Sequence, residues 1–306
     1  MSERVDTLIL GGGAAGLFCA ARAGERGRKV LVLDHAKRPA EKVRISGGGR
    51  CNFTNIDTAP ANFISQNPHF AKSALARYTP WDFCDRVARH NLTWTEKTLG
   101  QLFCDQKSGA IIQMLLDDLD AAGGALRLET EIGEVTHRDG RFIVSAGGSE
   151  ISAGNLVVAT GGLSIPKMGA TSLAYDLARH FGHDIVPTRP ALVPFTFSGA
   201  LKDAFADLSG VACPVDVQTE NGPQFHEAML FTHRGLSGPA ILQISSYWQP
   251  GDTILIDLCP AISALDWLSE QRNNRPNAEL KTVLSDILPT RLCQLLCEHF
   301  MPNKPM

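Results

Sequence analysis

The stretch VDTLILGGGAAGLFCAARAGERGRKVLVLD, residues 5–34, sets the fold. It begins with a largely apolar run, VDTLIL, that stops abruptly at glycine. Short runs rich in branched apolar residues form central parallel strands, covered on both faces. Gly11, Gly13 and Gly16 then give G-x-G-x-x-G. The first glycine permits a tight turn out of the strand, the second bares the backbone for a pyrophosphate, and the third lets a helix pack close. Residues 14–26 read as that helix, whose free N–H groups and partial positive charge suit phosphate. A second apolar strand over 29–33 closes at Asp34, where an acid can accept hydrogen bonds from a ribose diol. Strand, glycines, helix, strand and acid in this order predict a dinucleotide-binding βαβ unit. A purely structural glycine turn is the alternative.

Working outward, a second glycine run follows in KVRISGGGRCNFTN, residues 42–55. A plain NAD-dependent dehydrogenase continues with further βα units, whereas residues 36–67 read as one long irregular segment, and long ordered loops are usually functional. Lys37, Arg38, Lys42, Arg44 and Arg50 cluster here, enough for one phosphate-bearing ligand and too few for a duplex. The net charge of −3 implies no large positive field. The expected partner is therefore a small-molecule substrate, with no nucleic acid and no membrane. With 306 residues, 44% hydrophobic and 20% charged, the chain can bury the cores of two domains, or of one large domain with an insertion.

The cysteines are Cys19, Cys51, Cys84, Cys104, Cys213, Cys259, Cys293 and Cys297. They are dispersed, with no C-x-x-C, so neither a redox pair nor a zinc ribbon is signalled and no metal is expected. Cys293 and Cys297 share one face of an expected helix and read as core thiols. No charged leader precedes a long apolar run, and no stretch reaches the roughly 18 apolar residues of a membrane span. A reducing, cytoplasmic location is the expectation.

Further along, residues 67–78 and 81–90 read as helices, and Ser108 as the cap of a third with an Ile111, Leu115, Leu119 stripe. A strand over 125–130 precedes a β-meander built from GEVTHR, RFIVSA and EISAG, with Asp139-Gly140 as a hairpin turn. NLVVATGG adds a separate buried strand over 155–159 that delivers Thr160, Gly161 and Gly162 to the sheet's carboxyl edge. Residues 172–181 read as a helix. The proline-rich PTRPALVPF marks a boundary. Beyond it, LVPFTF, VDVQ, AMLFTH and TILIDL suggest a small antiparallel barrel or sandwich. A helix is expected to start over 237–239, with serine as cap, and the chain is mostly helical from Ile262.

Taken together, LGGGAAGL, KVRISGGGRCNFTN, VVATGGLSIPKMGAT and FTHRGLSGPAILQIS resemble the BaiN/YhiN-like bacterial flavoproteins, a NAD(P)/FAD-dependent, aminoacetone-oxidase-type family of the two-dinucleotide-binding-domain superfamily. The blocks span residues 6–246. The resemblance implies an α/β fold: a glutathione-reductase-like FAD-binding Rossmann domain with an inserted antiparallel β-barrel and a helical segment. The expected boundaries are 1–188 for the FAD domain, 189–261 for the barrel and 262–306 for the helical segment. It further implies FAD held by Gly11, Gly13, Ala14, Ala15 and Gly16 at the pyrophosphate, and by Asp34 and His35 at the ribose. Lys42, Ser46, Gly47, Gly48, Gly49, Arg50, Cys51, Asn52 and Thr54 would line the ribityl–flavin half. Ile132 would meet the adenine, and Thr160, Gly161 and Gly162 would follow the cofactor. Two blocks depart from the family pattern: GQLFC stands for GRVFP, and Ser172, Leu173 and Ala174 stand for Gly-Asp-Gly. Family members also carry a GLYFAGE…GGYN-type segment returning to the FAD domain, which this sequence does not reach.

The expected activity is an FAD-dependent oxidoreductase moving hydride between a small organic substrate and flavin, with NAD(P)H as a possible reductant. A truncated, inactive remnant with weak FAD binding is the alternative, and a flavin-free NAD-dependent dehydrogenase a third. Flavin chemistry resides in the cofactor, so the sequence barely names catalytic groups. Lys167, His233 and Arg234 are candidates, the last two because they precede a helix start able to bind an anion. Arg50 could compensate cofactor charge. Cys51 reads as a small side chain packed near the cofactor or as a redox thiol.

Overall fold

The computed structural model describes residues 3–220 and 222–300. The chain divides into two units, Met1–Val186 and Pro187–Met306.

In the first unit, β1 (Glu3–Leu10) and β2 (Val30–Leu33) lie parallel, in register from Thr7 opposite Val30 to Leu10 opposite Leu33. Helix α1 (Ala14–Gly24) connects them and buries Leu17, Ala20 and Ala21. There follow α2 (Glu41–Ile45), β3 (Asn52–Asn55), α3 (Lys72–Arg77), α4 (Pro80–Arg89), β4 (Trp94–Glu96), β5 (Gln101–Cys104) and α5 (Lys107–Ala121). Then come β6 (Ala125–Arg127), β7 (Ile132–Arg138), β8 (Arg141–Ala146), β9 (Ser149–Val158) and α6 (Leu173–His180). The main sheet runs β6-β2-β1-β9-β8-β7, and β3-β5-β4 form a small separate sheet.

Strand pleat sorts the core into two layers. Ile9, Val30 and Val32 pack with α1 and with Ile111, Met114 and Leu115 of α5. Leu8, Leu10, Leu31 and Leu33 point the other way, onto Val135, Val144 and Leu177. Both faces of β1 and β2 are covered, as their near-continuous apolar runs require. The fold class is thus α/β of Rossmann type.

Several elements differ from the sequence reading. The meander strand EISAG and the buried strand over 155–159 are one strand, β9, because Gly154 interrupts neither pairing. Residues 149–153 pair antiparallel with β8, and residues 151–158 pair parallel with β1 on the other side. Helix α3 covers only Lys72–Arg77 of the expected 67–78, and β6 only three residues of 125–130. Ser108 lies inside α5, whose N-cap is Gln106; the Ser108 hydroxyl instead donates to the Arg44 carbonyl at 2.8 Å. The long segment over 36–67 is not structureless: it contains α2 and β3.

The second unit contains β10 (Phe195–Thr196), α7 (Gly199–Ala204), β11 (Ala212–Thr219), β12 (Phe225–Thr232), β13 (Gly235–Ser237), α8 (Pro239–Ile244), β14 (Ile254–Asp257), α9 (Ala264–Asn274), α10 (Leu280–Leu284) and α11 (Thr290–His299). Its sheet, β10-β13-β12-β11-β14, is antiparallel throughout, a half-barrel with β10 and β14 as edges among the described residues. Cys213, Val215 and Val217 alternate inward along β11 and meet Ala240, Ile241 and Ile244 of α8. Serine does not cap α8: Ser237 ends β13, Gly238 is the N-cap, and Pro239 takes the first turn. Cys293 and Cys297 are buried on one side of α11 with Leu284 and Leu288, as core thiols.

Candidate functional site

The carboxyl ends of β1, β2 and β9 meet at a cleft of about 300 Å³, the edge where open α/β sheets bind ligands. Close approach dictates the glycines. A Cβ at Gly16 would stand 1.9 Å from the Gly11 carbonyl oxygen, and one at Gly11, where φ is +109°, would stand 2.4 Å from that of Ala159. Gly13 differs, because a Cβ there would meet nothing within 4 Å. It is the N-cap of α1, with no side-chain cap and no acid in the first turn. The first N–H groups of α1 therefore face open space with the helix dipole behind them, a setting for phosphate.

Asp34 is fixed by the backbone. Its Oδ2 accepts from Gly12 N–H at 2.6 Å and its Oδ1 from Ala36 N–H at 2.8 Å. Each oxygen keeps a lone pair for a ligand hydroxyl. Thr160 Oγ1 is buried with no hydrogen-bond partner, and buried polar atoms without partners are rare. Lys42 Nζ donates to Ser164 Oγ at 3.0 Å and to Gly162 O at 3.4 Å, leaving one N–H unassigned. An uncapped helix start, a held carboxylate and an orphan hydroxyl stand around one cleft, and groups of these kinds can receive a phosphate, a hydroxyl and a further polar atom of a dinucleotide.

Of the residues singled out in the sequence, Gly11, Gly13, Ala14, Ala15, Asp34, His35, Lys42, Ile132, Thr160 and Gly161 line this cleft. Sequence reasoning missed Glu41 of α2; it named Arg38 only within the basic cluster, and Met168 to Thr171 only as the end of the VVATGGLSIPKMGAT block. The place of that loop follows from the β9–α6 connection, which leaves the same sheet edge.

A second cavity of about 530 Å³ shares Ala14, Ala15, Lys42 and Val43 with the cleft. It adds Ser46, Cys51 and Asn52 from the second glycine loop, and the aromatic rings of Phe18, Phe53, Tyr78 and Phe83. None of those rings was singled out from sequence, since their apolar spacing reads as ordinary core. Gly47, Gly48, Gly49, Arg50 and Thr54 line neither cavity. The three glycines instead form a left-handed run, with φ of +56°, +67° and +84°, a course costly for side-chain-bearing residues. It brings Cys51 inward, itself at φ +56° and buried. Burial pushes the Cys51 thiol above its ordinary value, Ser46 partly opposes this, and the neighbouring Cys104 adds to it. That suits a packed thiol and works against a reactive thiolate.

None of the catalytic candidates lines either cavity. Lys167 is exposed in the short turn Pro166–Met168. His233 and Arg234 are exposed in the β12–β13 turn, and β13 separates them from the start of α8. Among the described residues there is no group of three or more His, Cys, Asp or Glu able to hold a metal ion. No helix among them is long and apolar enough to cross a membrane.

The family model described as the HI0933-like protein Rossmann domain matches residues 5–263. The chain is 50% identical over 294 residues to the ribosomal RNA dihydrouridine synthase of Escherichia coli, covering 96% of this chain and 74% of that protein. It is 44% identical over 303 residues to a Haemophilus influenzae protein of the same name, covering 98% of this chain and 75% of that one. Similarity to the 3-dehydro-bile acid delta(4,6)-reductase of Clostridium scindens is lower, 25% over 315 residues, covering 97% and 76%.

Proposed function

The chain belongs to the HI0933-like family, and on that premise we propose that it is an FAD-dependent reductase that converts uridine in ribosomal RNA to dihydrouridine. The observation that carries this reading is the 50% identity, over 96% of the chain, to a ribosomal RNA dihydrouridine synthase. The weaker relative points to the same bond chemistry. Uracil C5=C6 is conjugated with a carbonyl, and so are the double bonds of a 3-dehydro delta(4,6) acid. When bound, FAD supplies a two-electron centre that takes hydride from a reductant such as NAD(P)H and delivers it to such a bond, a proton completing the reduction.

The chain's own groups do the rest. Gly13 and the start of α1 hold the pyrophosphate, Asp34 a ribose, and Thr160 Oγ1 a polar atom of the cofactor. Lys42, cationic and shared by both cavities, meets negative charge developing on a carbonyl oxygen. The aromatic walls keep water from the reacting ring.

This reading departs from the small-molecule, no-nucleic-acid expectation. A net charge of −3 describes the average field. An enzyme that modifies one base needs only local cations; Lys37, Arg38 and Arg50 are exposed, and Arg38 lines the cleft.

The test is direct. Purified protein given FAD should keep a flavin absorption spectrum. With NAD(P)H it should then raise the dihydrouridine content of unmodified ribosomal RNA, read by mass spectrometry of its nucleosides. A protein that never retains flavin, or a flavin-loaded protein that leaves uridine untouched, would refute the proposal.

A further inference from the structure

We propose, resting on that reading, that the aromatic chamber is the binding pocket for the uracil ring, extruded from the RNA. Its volume of about 530 Å³ lies within the usual range of ligand pockets and leaves ample room for a planar ring. Its walls are aromatic and held in place. Phe18 meets Tyr78 edge-on at 5.0 Å, and the Arg86 guanidinium lies over Phe18 at 4.8 Å. Arg86 is itself fixed, donating to Asp118 at 2.7 Å and to Glu25 at 3.2 Å. A base taken out of its stack is received by such rings.

The polar lining supplies the choice of base. With its amide set so that Nδ2 donates to Leu102 O (3.2 Å) and Thr54 O (3.0 Å), Asn52 has both hydrogens engaged and Oδ1 left as an acceptor. Lys42, on the wall shared with the cleft, keeps one N–H to donate. One acceptor and one donor match the N3–H and O4 of uracil. Cytosine presents the opposite pattern, an acceptor at N3 and an amino donor at C4. The shared wall also puts the ring next to the cofactor cleft, as the proposed reaction requires.

The experiment uses the whole flavin-loaded protein and a labelled single-stranded oligoribonucleotide carrying one uridine, against the same strand with cytidine, read by fluorescence anisotropy. Wild type should prefer uridine by about 10-fold. Tyr78→Ala should weaken uridine binding by about 10-fold, since aromatic stacking on a base is worth that order, while Tyr78→Phe, which keeps the ring, retains it. Asn52→Ala should bring the uridine-to-cytidine ratio toward one. Both Tyr78 variants should keep the flavin spectrum. Equal binding of the two strands by wild type, or unchanged affinity in Tyr78→Ala, would overturn the inference. Loss of flavin from Tyr78→Ala and Asn52→Ala with unaltered RNA affinity would overturn it too, assigning the chamber to the cofactor. A wild type that holds no flavin yet still prefers uridine would sink the reductase reading and leave the pocket standing.

Discussion

Gly16 and Gly13 belong to one motif and do different physical jobs. Gly16→Ala places a methyl carbon 1.9 Å from a carbonyl oxygen, so backbone must move. The expected cost is about 1–3 kcal/mol, as for other overpacked sites, read by urea denaturation of the flavin-free protein. Gly13→Ala meets nothing within 4 Å, and its φ of −79° is open to alanine. Its stability should stay within about 0.5 kcal/mol of wild type, while FAD affinity falls because the methyl occupies phosphate space. Thr160→Val tests the orphan hydroxyl, with opposite signs in the two states. Removing a buried, unpaired Oγ1 should stabilise the flavin-free protein by about 1 kcal/mol and weaken FAD binding in a fluorescence titration. Equal effects of Gly13→Ala and Gly16→Ala on stability would argue against this division. At this scale the cleft was largely legible: glycine spacing and a strand-ending acid are local signals. Thr160 was legible as a position at a strand end. Its unpaired hydroxyl was not, since pairing depends on neighbours brought in by other strands.

Among the elements, α4 shows how a surface helix is fastened to the Rossmann unit. Arg86, 7% exposed, reaches Asp118 on α5 and Glu25 at the end of α1. His90 meets the other Asp118 oxygen at 2.8 Å. Asp118→Ala would leave a nearly buried guanidinium with one exposed partner. The expected loss is about 3 kcal/mol, the order found when one member of a buried pair is removed, and a double change with Arg86→Met should recover much of it. Additive losses in that cycle, read by denaturant midpoints, would show that the pair is not coupled. Neither partner announced itself in the sequence, because a pairing between two separate helices leaves no local mark. The same limit misplaced Ser108, a good cap by type whose hydroxyl found Arg44 O instead. It also split β9 in two, because Gly154 reads as a break in sequence while pairing with β1 carries the strand past it, from Ile151 to Val158. Local propensity names elements well; tertiary partners decide where they end.

For the whole molecule, the alternating apolar runs and the glycine-rich βαβ unit made the α/β class and the antiparallel sheet legible. The aromatic chamber was not, because Phe18, Tyr78 and Phe83 come together only through the packing of α1, α4 and the loop before it. The dispersed cysteines have a consequence in each unit. Burial raises the thiols of Cys51, Cys84 and Cys104 in one unit, and of Cys213, Cys259, Cys293 and Cys297 in the other. A thiol raised above its ordinary value of about 8.5 stays protonated in the folded chain while the unfolded chain gives up its proton. The stabilisation it brings is complete below the ordinary value and is lost as pH climbs through the raised one. The urea midpoint should therefore hold from pH 7 to 8 and fall steadily above about pH 9. Cys104→Ala and Cys293→Ala, one in each unit, should flatten that fall, whatever they cost at neutral pH. An unchanged alkaline slope in both variants would show that other groups drive the loss.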